Sequence, residues 1–343
     1  MRAVRVHPTK GLVLEDLTVP EPGAGQALVA VAFGGICGSD LHYASHGRNG
    51  AYVIKESLTL GHEFSGRVVR TGPSVPGTIR QGDPVTAHPA WPSPAPGRQD
   101  SGLHTLPEGS YLGSASTVPH TQGGFCEFLV VRHEQLRKLP DTVPLRTASV
   151  AEPLAVALHA VSLIGDLRGK RVLVNGCGPI GLLSVLVVAQ YEPAELMASD
   201  LSARALGVAR ELGAGTTMQV PHQSVPRRVA DVVVEASGAV PAIESSFAAL
   251  AIGGTLLQLA IPAGQELSRP IADVLTRELV IQGSWRFDGE LDDAVEFLAR
   301  HPEAETVISH EFQAEDAVEA FRVASDVHAS SKVLLSFGGL DGT

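Results

Sequence analysis

Cysteine is scarce: the 343 residues hold three, Cys37, Cys126 and Cys177. Three thiols cannot build a disulfide framework, so a reducing compartment, the cytoplasm, is the expected location. Basic charge is also short. There are 26 Lys and Arg against 37 Asp and Glu, a net charge of −11. A surface that acidic does not neutralise phosphates, so nucleic acid is not an expected partner, and neither is an anionic membrane. Long apolar runs are missing. The most apolar stretch, residues 180–189, falls short of the ~20 residues that span a bilayer. The opening MRAVRVHPTKGLVLEDL has no apolar core of a secretory signal, so none is expected. No short-period repeat appears.

What is present suits a soluble chain of two domains, with 44% hydrophobic residues and a mean hydropathy of +0.14. The first third reads as short strands with Gly and Pro punctuation: VRVHPTKGLVLEDL, QALVAVAFGG, FSGRVVRTG and GTIRQGDPVTAH, the last with a turn at Gly82-Asp83. It suggests a partly open barrel. Residues 89–124 interrupt this, with four prolines in PAWPSPAP and little periodicity, and read as a surface lobe or lid. From about residue 147 helix and strand alternate. AEPLAVALHAVSLIG, PIGLLSVLVVAQ, SARALGVARELGAG and residues 241–252 are helical; KRVLVNG, AELMASD, ADVVVEASG, TLLQLAI and LVIQGSW are strands. Such alternation predicts an α/β fold, a doubly wound parallel sheet of the Rossmann kind. Residues 289–300 and 314–325 are again helical, and KVLLSF closes the chain as a strand.

Gly176-x-Gly178-Pro179-Ile180-Gly181 follows one predicted strand and opens the next helix. In such a loop the first glycine turns the chain, the second admits a pyrophosphate, and the third packs helix on strand. The helix start offers free N–H groups to phosphate. Asp200 ends the next strand, where an acid holds a ribose 2′-hydroxyl. A carboxylate there repels a 2′-phosphate and favours NAD over NADP, and Arg204 nearby moderates that preference.

Cys37, His62 and Glu63 supply a thiolate, an imidazole and a carboxylate, the ligand types of Zn²⁺. Cys37 and His62 are far apart, so a fold would have to assemble the site. Each also has a plain structural reading, as a small buried thiol or a core histidine.

The residues GGICGSDLHY (34–43), HGRNG (46–50), LGHEFSGRV (60–68), GDPV (82–85), AEPLAVALHA (151–160), GCGPIG (176–181), SDLSARAL (199–206) and GSWRF (283–287) resemble the zinc-dependent medium-chain dehydrogenase/reductase family, in its polyol dehydrogenase branch. The resemblance runs over essentially the whole chain. It implies a GroES-like catalytic domain of residues 1–147 and 287–343 beside a Rossmann domain of residues 148–286. It implies that Cys37 and His62 ligate one catalytic zinc, that Glu63 ligates it or lies beside it, and that Glu152 approaches it directly or through water. Asp40 would bond the free imidazole N–H of His62. Ser39 would touch the substrate oxygen and pass its proton on, with His42 completing the relay. Tyr43 and Arg286 would meet the substrate, a guanidinium suiting a sugar-acid carboxylate or several hydroxyls. Many relatives carry a four-cysteine zinc lobe; here residues 88–120 hold no cysteine, so no structural zinc is expected. The implied activity is NAD-dependent oxidation of a secondary alcohol of a sugar acid such as L-idonate, or else of sorbitol or xylitol, by a homotetramer or homodimer. The alternatives are a catalytically idle nucleotide-binding protein and a zinc-independent quinone reductase. Cys37, His62, Glu63 and Glu152 argue against both.

Overall fold

A computed structural model describes residues 1–91, 109–262 and 271–338. The chain divides into two compact units, one of Met1–Glu152 with the segment from Leu291 onward, the other of Pro153–Glu290. Among the described residues no helix is long and apolar enough to cross a membrane.

The first unit is built on the strand Gln26–Gly35, whose residues 27–32 are all buried. Along one edge it pairs with Glu63–Thr71. The other edge is shared lengthwise: Phe128–Arg132 covers residues 26–30, and Lys332–Ser336 covers 33–35. Ile308–Gln313 then runs parallel to Lys332–Ser336, and Pro84–Ala87 with Leu136–Lys138 extends the opposite side. A smaller sheet of Gly11–Asp16, Arg2–His7 and Leu58–Thr59 adjoins it. Val4, Val29, Leu58, Leu60, Phe64, Phe125, Val333 and Leu335 fill the core between them. Each such side chain contributes about 1.5–3 kcal/mol by leaving water. This is the mostly β, barrel-like domain that the alternating pattern predicts.

The second unit is a six-stranded, wholly parallel sheet in the order Thr216–Gln219, Glu195–Asp200, Arg171–Asn175, Ala230–Glu235, Leu250–Gln258 and Val280–Gly283. Numbered along the chain this is 3-2-1-4-5-6, the Rossmann order. Its reversal lies at the carboxyl end of Arg171–Asn175, where the glycine loop begins.

Three readings change. The helix expected over 241–252 ends at Ala249, and strand Leu250–Gln258 starts at once, bulged against Ala230–Glu235. The Gly-rich stretch around Cys37, which reads from the sequence as a turn, leads into a helix, Gly38–His46. Of the presumed surface lobe, 92–108 lies outside the described residues, but Tyr111, Leu112, Ala115, Phe125 and Cys126, in and just beyond its second half, are buried.

Candidate metal and nucleotide sites

Cys37 immediately precedes helix Gly38–His46. Asp40, one turn on, accepts from the Cys37 N–H with Oδ2 at 3.0 Å, and from the Gly61 N–H with Oδ1 at 3.2 Å. One buried carboxylate therefore braces the backbone on both sides of the site. This takes the place of the direct Asp40–His62 bond expected from sequence, and Asp40 acts on the ring through charge. Gly61 sits at φ 91°, and a Cβ there would lie 2.2 Å from the Phe125 ring, so residue 61 must be glycine for the chain to turn into His62.

The ligand atoms of Cys37, His62 and Glu63 all lie within 4.8 Å of one another. His62 and Glu63 are buried and Cys37 is half-buried. Burial alone would lower the His62 pKa. The bond to the Cys37 side chain, and the negative charges of Cys37, Asp40 and Glu152, outweigh it and push it up to about 10. A pocket that grips a proton this firmly is electronegative, and a soft thiolate, an imidazole and a carboxylate in it fit Zn²⁺. The other two thiols serve no such role: burial pushes Cys126 up to about 12 and Cys177 further still.

Glu152 is not in that three-residue set. It is the second residue of helix Ala151–Ser162, and its Oε1 accepts from the Tyr111 hydroxyl at 2.7 Å. The Tyr111 ring also meets His62 edge-on, centroids 5.4 Å apart. Burial raises the Glu152 pKa, and Glu63 adds to it, while His62, Tyr111 and Lys332 oppose.

Two residues here escaped the sequence reading. Tyr111 lies in the stretch taken for a lobe without chemistry. Lys332 opens the closing strand and is only 2% exposed. Its Nζ donates to Glu63 Oε2 at 2.5 Å and to Ile36 O at 3.1 Å. The register explains the meeting, because Gly35 pairs with Glu63 on one edge and Leu334 on the other. A Cβ on Gly35 would lie 2.3 Å from Glu63 Oε2, so the glycine makes room for the ion pair. A lysine heading an otherwise apolar strand was the available signal.

Ser39 is half-exposed and His42 exposed on helix Gly38–His46. Tyr43 points into the core at 2% exposure, its hydroxyl accepting from the Ala115 N–H at 3.0 Å and bonding Ser114 Oγ at 3.4 Å. That favours its packing role over the substrate contact expected of it. Arg286 belongs to the second unit, at φ 55° with its guanidinium over Trp285 at 5.2 Å.

In the second unit the three loop glycines each have a distinct reason. Gly176 is at φ 95°, with a Cβ position 2.7 Å from Ser237 N; a Cβ on Gly181 would lie 1.8 Å from Gly176 O; a Cβ on Gly178 would meet nothing within 4 Å. Gly178 is exposed to open space, and it lies at the start of helix Pro179–Ala189, the end of a helix whose backbone N–H groups suit an anion. Asp200 clasps the loop, accepting from Cys177 N–H at 2.6 Å and Ser202 N–H at 2.7 Å. Arg204 is exposed, on the helix Ala203–Glu211 that follows.

Comparison with known proteins agrees with this fold. The model of the alcohol dehydrogenase GroES-like domain matches residues 23–141, and that of the zinc-binding dehydrogenase matches residues 179–300. Sorbitol dehydrogenase of Gallus gallus is 34% identical over 332 residues, 93% of this chain and 92% of that protein. L-idonate 5-dehydrogenase (NAD(P)(+)) of Escherichia coli K12 is 32% identical over 317 residues, 90% of this chain and 91% of that one. The crystal structure of the Escherichia coli L-idonate enzyme superposes with a TM-score of 0.89 at 30% identity, covering 98% of each chain. A zinc-binding dehydrogenase of Sinorhizobium meliloti bound to NADP follows at a TM-score of 0.85 and 28% identity, again over 98% of each. With relatives of this identity along nine-tenths of its length, and both halves matched in order, the chain belongs to the zinc-dependent alcohol and polyol dehydrogenase family.

Proposed function

We propose that this protein oxidises a secondary alcohol of a sugar acid, with L-idonate as first candidate, using one zinc per chain and NAD⁺. The observation that carries the reading is the convergence of Cys37, His62 and Glu63 within 4.8 Å in an electronegative pocket. Zinc held there would act as a Lewis acid on the substrate hydroxyl, and NAD⁺ would accept the hydride. Cys37 and His62 hold the ion, and Glu63 either completes the set or is kept off it by Lys332. Tyr111 keeps Glu152 aimed beside His62, within reach of the ion or of a water on it. Ser39 takes the hydroxyl proton, and His42, one helical turn away and exposed, hands it to solvent. Gly178 and the helix start hold the pyrophosphate, and Asp200 accepts from the ribose. Arg286 is assigned to the substrate carboxylate.

Sorbitol or xylitol is the second reading, supported by the 34% identity to sorbitol dehydrogenase. The test is NADH formation with L-idonate, sorbitol, xylitol, L-threonine and simple alcohols, with and without chelator, repeated with NADP⁺. Chelator-sensitive turnover of L-idonate above sorbitol, with NAD⁺ preferred by roughly tenfold or more, is expected. Turnover of sorbitol or xylitol alone would discard the sugar acid. NADP⁺ preferred would discard the role given to Asp200.

A further inference from the structure

Helix Gly38–His46 carries a second pair of metal-ligand side chains. His42 and His46 are four residues apart, so both rings leave the same face. Their centroids are 5.8 Å apart, with planes inclined by 33°. The Ser45 hydroxyl settles where the proton on His46 sits. Its single hydrogen is donated to Leu41 O at 2.6 Å. The same oxygen lies 2.9 Å from His46 Nδ1, and there it can only accept. In the neutral ring Nδ1 therefore bears the hydrogen, and Nε2 keeps its lone pair.

An imidazole whose far N–H is held by an acceptor is in the state that metal-bound histidines adopt. Two histidines at i and i+4 on one helix face are the pair by which helical zinc motifs grip their ion. With Zn–N bonds of about 2.0–2.1 Å, each ring centre stands about 3.2 Å from the ion, and two rings sharing it have centroids about 5–6 Å apart. The observed spacing falls in that range with the helix as it stands. His46 lies in the last turn, where the negative end of the helix dipole favours a cation. The nearest cation in sequence, Arg48, directs its guanidinium to Gly50 O, at 2.8 and 2.6 Å. Both histidines are exposed, so water would complete the coordination of an ion held there.

We propose that His42 and His46 form a surface site for a divalent transition-metal ion of the zinc type, separate from Cys37, His62 and Glu63, and that its occupancy slows turnover by withdrawing His42 from the proton path. The binding rests on the geometry alone; the effect on turnover also rests on the role given to His42 above. Loading the site exchanges water, and any proton on His42, for the ion, with no change of oxidation state.

The experiment titrates the zinc-loaded enzyme with further Zn²⁺, reading uptake by equilibrium dialysis and turnover on the same samples. His46→Ala and Ser45→Ala are compared with the wild type. The wild type is expected to take up one more zinc per chain than His46→Ala, and to lose turnover reversibly as it does. His46→Ala keeps its basal turnover and needs far more zinc to lose it. Ser45→Ala, which frees the tautomer, binds the added zinc roughly tenfold more weakly. Equal uptake by wild type and His46→Ala overturns the site. Extra uptake by the wild type with unchanged turnover overturns the withdrawal of His42 and its place in the proton path, while the site itself stands.

Discussion

Lys332 decides how the acids around the metal ligands can be buried together. Asp40, Glu63 and Glu152 are all at 5% exposure or less, and Lys332 is a cation packed among them, paired with Glu63. Burial opposes its charge, but Glu63, Cys37 and Glu152 outweigh burial and raise its pKa, so it stays an ammonium. Removing one partner of such a pair leaves the other buried and unpaired, at a cost of about 3–5 kcal/mol. Lys332→Met is therefore expected to lower the Tm by roughly 10 °C, measured by thermal unfolding of chelator-treated protein. Adding Glu63→Gln should restore most of that loss, because no uncompensated charge then remains. Losses that simply add would show that the two side chains do not depend on each other. Nothing local in the sequence announces this pair. Its members are 269 residues apart, and they meet only because Lys332–Ser336 takes the half of Gln26–Gly35 that Phe128–Arg132 leaves open.

The glycine loop is the opposite case, since its logic is local and could be read directly. Gly178 has φ −67° and ψ −176°, a conformation open to any residue, and a Cβ there meets no protein atom within 4 Å. Gly178→Ala is expected to leave the Tm within about 1 °C of the wild type, while weakening NAD binding roughly tenfold or more, read by fluorescence titration. Gly181→Ala places its Cβ 1.8 Å from Gly176 O and should instead destabilise the fold outright. A Gly178→Ala protein that binds NAD as the wild type does would remove the pyrophosphate from this loop. Cys37, His62 and Glu63 were visible only as ligand types; their grouping came from the family resemblance, because Cys37 and His62 are far apart in sequence. Tyr111 was hidden because PAWPSPAP makes the whole stretch look irregular, although the residues after it return to the core. The helix after Cys37 was hidden because its start is fixed by Asp40, an acid that the family resemblance assigns to the His62 imidazole.

The two ends of the parallel sheet differ in a way that bears on assembly. One end strand is Thr216–Gln219, Thr-Thr-Met-Gln, polar at its edge. The other, Val280–Gly283, pairs on one side only among the described residues, and leaves Val280 52% and Ile281 50% exposed, with Leu275 nearby in sequence at 72%. An apolar strand paired along one side only is the kind of edge that proteins shield. We propose that a second copy of this chain shields it symmetrically: the same strand, turned about a two-fold axis, would continue the sheet and bury the valine and isoleucine of both copies. Such a contact would build the homodimer or homotetramer that the family resemblance implies, and a stable contact of this kind buries about 1,600 Å² in all. Val280→Lys with Ile281→Lys puts like charges opposite each other across that axis. The double variant is expected to sediment as half the wild-type assembly, monomers from a dimer or dimers from a tetramer, with its helix and strand content unchanged. A wild type that sediments as a monomer, or a variant that keeps the wild-type size, would mean that this edge meets something other than its own copy.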